Sequence, residues 1–276
     1  MIRLIVNADD LGCSPQRDRG IFAAHANGIV SSASLLANGR SFAAAAEEAR
    51  RCALPVGVHL NLADGGAVTG PIPGLTDDRG TFPGKTGLRT ILSRDLGCRD
   101  GIRRELLAQI ERVRRAGIEP DHLDTHQHSL LFPSLTGIIV EVASSAGIRA
   151  LRLPVPAEPA ESDPPGRLGE DLALYRRLAP ALRQALRQAG AWTPDGLYGM
   201  GLLNHLDTDS LAGLLAAVTA GTWELMTHPG CHDPCDPFGG PERETELAAL
   251  TAPAIHRLAA SRGMMLTSFK ECACAC

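Results

Sequence analysis

The stretch Leu4-Ile5-Val6-Asn7-Ala8-Asp9-Asp10, followed by Ser14-Pro15, decides how this chain is read. A short apolar run ends abruptly in two carboxylates. A serine then stands where a helix N-cap is wanted, with proline at the first helical position. The next helical stretch stops at Asn27-Gly28, a good C-terminal signal. Strand, polar strand end, capped helix is the unit of a parallel α/β sheet.

The unit repeats along the chain. Residues 29–37 read as a second strand ending at Asn38, Ser41 caps an alanine-rich helix to about Cys52, and 55–60 is a third strand carrying His59. Residues 63–99 are rich in Gly, Pro, Thr and Asp and read as a long loop; Asp100 then caps an amphipathic helix that Gly117 ends. A fourth strand at 122–125 leads into His126-Gln127-His128, a helix runs from Leu135 to Gly147, and 148–153 reads as a fifth strand. A second long loop covers 154–170, and a helix from about Asp171 to Gln188 contains Pro180, which should kink or split it. A weak strand at 196–199, a helix capped by Asp207 or Thr208, a strand at 223–227 ending at His228-Pro229, one or two helices over 241–261 and a last strand near 264–269 complete the pattern. Seven or eight such units in 276 residues predict a single-domain α/β fold, a distorted seven- or eight-stranded β/α barrel over 1–270, with a Cys-rich tail at 271–276.

Composition excludes several classes. Apolar residues make up 44% and charged residues 21% of the chain, so it can bury an ordinary core. The net charge of −4 and the lack of a basic stripe argue against nucleic acid as a partner. No apolar run reaches the ~20 residues of a membrane span. The first apolar run is too short for a signal peptide, so a cytoplasmic location is expected. Of the eight cysteines, Cys13, Cys52 and Cys98 read as free; Cys272, Cys274 and Cys276 read as a frayed tail or, in a strand, as a soft-metal cluster.

The chemistry lies at the strand ends. Asp9-Asp10, Asn38, His59, His126 with His128, and His228 each follow a strand, where barrel active sites are built. Adjacent carboxylates after a buried strand need a cation or donors. Carboxylate and imidazole together suit a borderline divalent metal, and three protein ligands would leave positions open for water and substrate. Asp124 is placed to hold an imidazole by its second nitrogen. Taken singly, each has a plainer reading: a turn, an N-cap, a core histidine.

Four segments carry a resemblance: Val6-Asn7-Ala8-Asp9-Asp10-Leu11-Gly12, Gly57-Val58-His59-Leu60-Asn61-Leu62, His122-Leu123-Asp124-Thr125-His126-Gln127-His128 and Met226-Thr227-His228-Pro229-Gly230. In this order they resemble the YdjC family of carbohydrate deacetylases, which includes diacetylchitobiose deacetylase and the hopanoid-associated HpnK proteins. The resemblance implies a polysaccharide-deacetylase-like barrel, a divalent metal (Mg²⁺ or Zn²⁺) on Asp10, His59 and His126, and hydrolysis of a linear amide. It makes a small N-acetylated saccharide or a glycolipid headgroup the expected partner, and a homodimer plausible. On that reading Asp9 is the candidate general base, His228 the candidate general acid, and Asn38, His128 and Arg152 candidate substrate contacts. The sequence departs from the family pattern at Leu130, where a further histidine is usual, and at Cys231-His232-Asp233-Pro234-Cys235, where an aromatic is usual; Cys231, His232 and Cys235 could form a small separate metal site. The alternatives are a metal-dependent amidohydrolase or phosphoesterase on a non-sugar substrate, a non-catalytic metal- or sugar-binding barrel, and a two-carboxylate glycosidase, which leaves the histidines unexplained.

Overall fold

A computed structural model describes residues 1–94 and 97–274. Strand β1 (Ile2–Leu11) is central, because its apolar residues Leu4, Ile5, Val6, Ala8 and Leu11 are wholly buried. On one side it pairs in parallel with β6 (Gly221–Thr227). On the other it pairs with β7 (Met264–Leu266) over its first residues and with β2 (Ser32–Leu35) over its last. The sheet continues through β3 (Val56–Leu60) to β4 (Leu123–Thr125), and from β6 to β5 (Leu197–Tyr198). All named pairs are parallel, as strand–helix alternation requires.

The curled sheet closes through single bridges. Leu123 pairs with Leu151, Ala150 with Trp192, and Pro156 with Leu197, joining the β4 edge to the β5 edge. The expected fifth strand at 148–153 therefore exists only as isolated bridges. Pro154 and Pro156 offer no N–H, so a continuous ladder cannot run through this segment.

Helices cover the outside. Helix α1 (Pro15–Asn27) starts as expected, with Ser14 Oγ accepting the Arg17 N–H. Helix α2 (Phe42–Arg51) follows β2. The loop expected over 63–99 contains a helix, α3 (Gly84–Leu92): its glycines hide the pattern, but Leu88 and Leu92, one turn apart, are buried. Helix α4 (Arg99–Arg115) begins one residue before Asp100, which sits in its first turn rather than at the cap. Helix α5 (Pro133–Ala146) ends at a left-handed Gly147. Helix α6 (Arg167–Gln188) starts earlier than expected and runs unbroken past Pro180, which lies on the exposed face. Helices α7 (Thr208–Ala217), α8 (Glu242–Thr251) and α9 (Pro253–Ser261) follow, with Asp207 capping α7.

The tail expected to fray is helical as far as Cys274, forming α10 (Phe269–Cys274). Phe269 and Cys272 pack with Ile5 and Ala150 in a small buried cluster separate from the main core. On a helix, residues two apart do not share a face, so Cys272 is buried while Cys274 is exposed. Cys276 lies outside the described residues.

One contact fixes the strand end that carries His228. A Cβ on Gly20 of α1 would lie 2.3 Å from Gly230 Cα, so helix and loop meet backbone to backbone. Gly20→Ala is expected to cost about 1–3 kcal/mol through overpacking, measured as a lower urea midpoint at unchanged slope.

Candidate metal centre and its cavity

The strand ends converge on a cavity of about 490 Å³ whose walls include Asp10, His59, His126, His228, Tyr175 and Phe238. That volume lies in the range of small-ligand sites. Successive strand residues normally face opposite ways, which would part Asp9 from Asp10. Here the β1–β2 register shifts between Ala8 and Leu11, and Asp10 takes a left-handed backbone with φ of 64°. Aspartate tolerates that conformation better than most residues. Both carboxylates are thereby brought to the same centre. At the end of β4, Gln127 and His128 are left-handed in succession, which turns the chain just past His126.

Three donor atoms meet. Asp10 Oδ1 lies 3.1 Å from His126 Nδ1 and 3.5 Å from His59 Nε2, and the two imidazole nitrogens are 3.2 Å apart. Each ring's other nitrogen faces a carboxylate: His59 Nδ1 is 2.8 Å from Asp124 Oδ2, and His126 Nε2 is 2.9 Å from Asp64 Oδ2. Ionised carboxylates only accept, so those nitrogens carry the hydrogens. In the neutral rings His59 Nε2 and His126 Nδ1 are left with lone pairs directed at each other and at Asp10 Oδ1. Among the described residues, Asp10 Oδ1 is buried without a hydrogen-bond partner. Donors bound about 2.1 Å from one divalent ion sit about 3.0–3.4 Å apart. The three residues fit such an ion.

Electrostatics agree. Burial opposes a charged ring at His126, yet Asp10 and Asp64 overcome it and push the pKa up to about 10. Burial likewise opposes ionised Asp10, and His126 and His59 hold it well below the usual carboxylate range. The centre is built for positive charge, which a divalent ion can supply in place of a proton.

Asp9 is held differently. Arg152 donates from both terminal nitrogens to its two oxygens, each at 2.6 Å, and Asn7 Nδ2 donates to Oδ1 at 2.7 Å. Burial works against its charge, but the Arg152 guanidinium keeps the Asp9 pKa below the usual value. Arg152, expected to touch substrate, is 1% exposed and bonds Asp9, Asp124 and Glu224. Its donors are consumed inside the protein, so it orders the centre from beneath. The trio Asp9, His59 and Asp124 could also hold an ion by spacing, but this guanidinium already occupies both of its carboxylates. Glu224 shares the same arginine; burial pushes its carboxyl up to about 7.

The remaining expected residues are placed as follows. His228 Nε2 lies 4.0 Å from Asp9 Oδ2, with its ring edge-on to Phe238. Burial drives His228 down to about 3, so it rests neutral. His128 lines the cavity, edge-on to Tyr175, and among the described residues its Nδ1 is buried without a partner. Asn38 lines the cavity too, but its amide donates to the carbonyls of Asp64 and Gly66, holding the loop that carries Asp64. Leu130 is a core residue. Cys231, His232 and Cys235 form no metal-type group among the described residues, and the loop's aromatic comes later, as Phe238 between Arg17 and Arg243.

Sequence reasoning missed Asp64, Tyr175, Phe238 and Glu224. For Asp64 a signal existed: Glu105 and Gln109 are polar residues on the buried face of α4, and they hold the loop backbone at Val68, Thr69 and Asn61.

A parallel β/α barrel with a carboxylate–histidine centre at the C-terminal ends of its strands defines the class. The YdjC-like protein family model matches residues 3–261, and the chain belongs to that family. It is 35% identical to a carbohydrate deacetylase of Mus musculus, covering 98% of this chain and 94% of that one. It is 31% identical to a chitooligosaccharide deacetylase of Yersinia pestis, covering 98% of each. A crystal structure from Enterococcus faecalis V583, of a protein named for cellobiose-phosphate cleavage, superposes with a TM-score of 0.78 over 98% of both chains at 24% identity; this likeness concerns the fold.

Asp124→Asn is expected to weaken divalent-metal affinity about 10- to 100-fold, because His59 loses the carboxylate that orients it. Titration calorimetry of chelator-treated protein with Zn²⁺ measures this. Unchanged affinity would contradict the ligand set.

Proposed function

We propose that this protein is a metal-dependent deacetylase that hydrolyses the acetamide of a small N-acetylated saccharide or glycolipid headgroup. The observation that carries the reading is the meeting of Asp10 Oδ1, His59 Nε2 and His126 Nδ1 on the wall of a cavity that Asp9 and His228 also line. The names of the mouse and Yersinia relatives support the substrate class. Two imidazoles beside one carboxylate suit Zn²⁺ better than Mg²⁺, which prefers oxygen ligands.

Amide hydrolysis adds water across the C–N bond. The acetyl carbon gains a hydroxyl oxygen, and the nitrogen leaves with a proton. A divalent ion on Asp10, His59 and His126 would acidify a water and polarise the acetyl carbonyl. Asp9 takes the proton of the attacking water. Its Oδ1 already accepts two hydrogen bonds, whereas Oδ2 accepts one from Arg152 and faces His228. Oδ2 is therefore the basic oxygen. A neutral His228 cannot open the reaction as an acid; it serves the leaving nitrogen once it has gained a proton during turnover. The long segments 63–99 and 154–170 contribute Asp64, Lys85 and Leu168 to the cavity wall and so bear on which acetylated compound enters. Among the described residues no helix is long and apolar enough to cross a membrane, and we place the activity in the cytoplasm.

The test is acetate release from N-acetylglucosamine oligomers by chelator-treated protein with and without Zn²⁺ or Mg²⁺. Release should require metal and fall at least about 100-fold in Asp10→Asn. Metal-loaded protein that frees no acetate from any N-acetylated sugar, or equal release after chelation, would overturn the reading.

A further inference from the structure

A buried histidine that the mechanism does not use lies beneath the centre. His122, just before β4, is wholly buried, yet its imidazole is held on every side. One face stacks on Phe269 of α10, with centroids 3.8 Å apart and planes 15° from parallel. The other packs on the Gly57 backbone, where an added Cβ would lie 2.4 Å from the ring. Nδ1 is 2.6 Å from Asp121 Oδ1, and Nε2 is 3.1 Å from Ser34 Oγ.

The contacts continue to the reacting end of β1. Asn7 Nδ2 donates to Ser34 Oγ at 2.8 Å and to Asp9 Oδ1 at 2.7 Å. Three segments are thus joined by one line: Asp121, His122, Ser34, Asn7, Asp9. Its polarity is set from both ends. Asp121 accepts, so His122 Nδ1 carries a hydrogen, and despite burial the Asp121 carboxylate raises the ring's pKa; Nε2 accepts from the Ser34 hydroxyl when the ring is neutral and donates to Ser34 Oγ when it is charged. Ser34 keeps a lone pair for Asn7. Asp9 also accepts, which fixes the Asn7 amide with nitrogen toward it. Both Asn7 hydrogens are then used, one on each neighbour.

We infer that His122 is a positioning residue: acting through Ser34 and Asn7, it holds Asp9 Oδ1 so that Oδ2 stays turned to the reacting centre. The inference rests on the reading of Asp9 as the base. Arg152 grips both Asp9 oxygens and cannot by itself distinguish them; the Asn7 bond can. Helix α10 belongs to the device, since Phe269 closes the space beneath the imidazole.

The experiment compares acetate release from N-acetylglucosamine oligomers by metal-loaded wild type, Asp9→Asn, Ser34→Ala, His122→Asn and Asp9→Asn/Ser34→Ala. Ser34→Ala removes one hydroxyl and keeps the test open should His122→Asn fail to fold, which its melting temperature reports. Ser34→Ala is expected to lower kcat roughly 10- to 100-fold at unchanged KM and metal content, and to lower it no further in the Asp9→Asn background. An equal loss in both backgrounds, or wild-type kcat in Ser34→Ala, would overturn the inference and leave Asp9 as base. Wild-type kcat in Asp9→Asn would instead remove the base reading and the inference with it. A crystal structure of Ser34→Ala gives a readout independent of turnover: the 2.7 Å Asn7–Asp9 contact should be lost, and its persistence counts against the inference.

Discussion

Two adjacent carboxylates end a strand that is buried along most of its length, and their charge must be answered inside the protein. Asp9 and Asp10 are 2% and 6% exposed. Desolvation of that size is tolerable only with compensating charge or donors. The protein answers each in its own way. Asp9 receives a permanent cation, Arg152, in a two-pronged pair. Asp10 receives two imidazole nitrogens and a place for positive charge between them. On the proposed function, one carboxylate serves as an oriented base and the other as a ligand.

This division shapes the surroundings. Arg152 is shared with Asp124 and Glu224, so the arginine that orders Asp9 also orders the carboxylate that holds His59. The proposed base and the proposed ligand His59 therefore share one arginine, through Asp9 and Asp124. Further out, loop 61–69 is fastened to α4 by Glu105 and Gln109, which keeps Asp64 beside His126. These contacts tie the base of the cavity together. Its upper wall comes from the segments that interrupt the strand–helix rhythm, where Lys85 of α3 pairs with Asp171 of α6.

Much of this was legible in the residues. Ser14-Pro15, Asn27-Gly28, Gly147 and Asp207 act within a few residues of themselves, so helix starts and stops were readable where such signals stand. The polar residue after each apolar run was equally local, and Asp10, His59 and His126 do meet. What misled was also local. Glycine-rich 84–92 is helical because Leu88 and Leu92 find a core, and 148–153 fails as a strand because the prolines that follow interrupt its ladder. Arg152 read as a strand-end contact because its position was visible while its three carboxylate partners, on β1, β4 and β6, were not.

The order of elements, the residues at the strand ends and the family to which the chain belongs are all readable along the chain, because they depend on short-range pattern. Folding is what sets which nitrogen of each histidine faces Asp10, which oxygen of Asp9 faces His228, and that His122 is tied to Asp9 through Ser34 and Asn7. Those facts rest on contacts such as Ser34–His122, 88 residues apart, and Arg152–Asp9, 143 apart. Such contacts exist only once the sheet has curled and its edges have met.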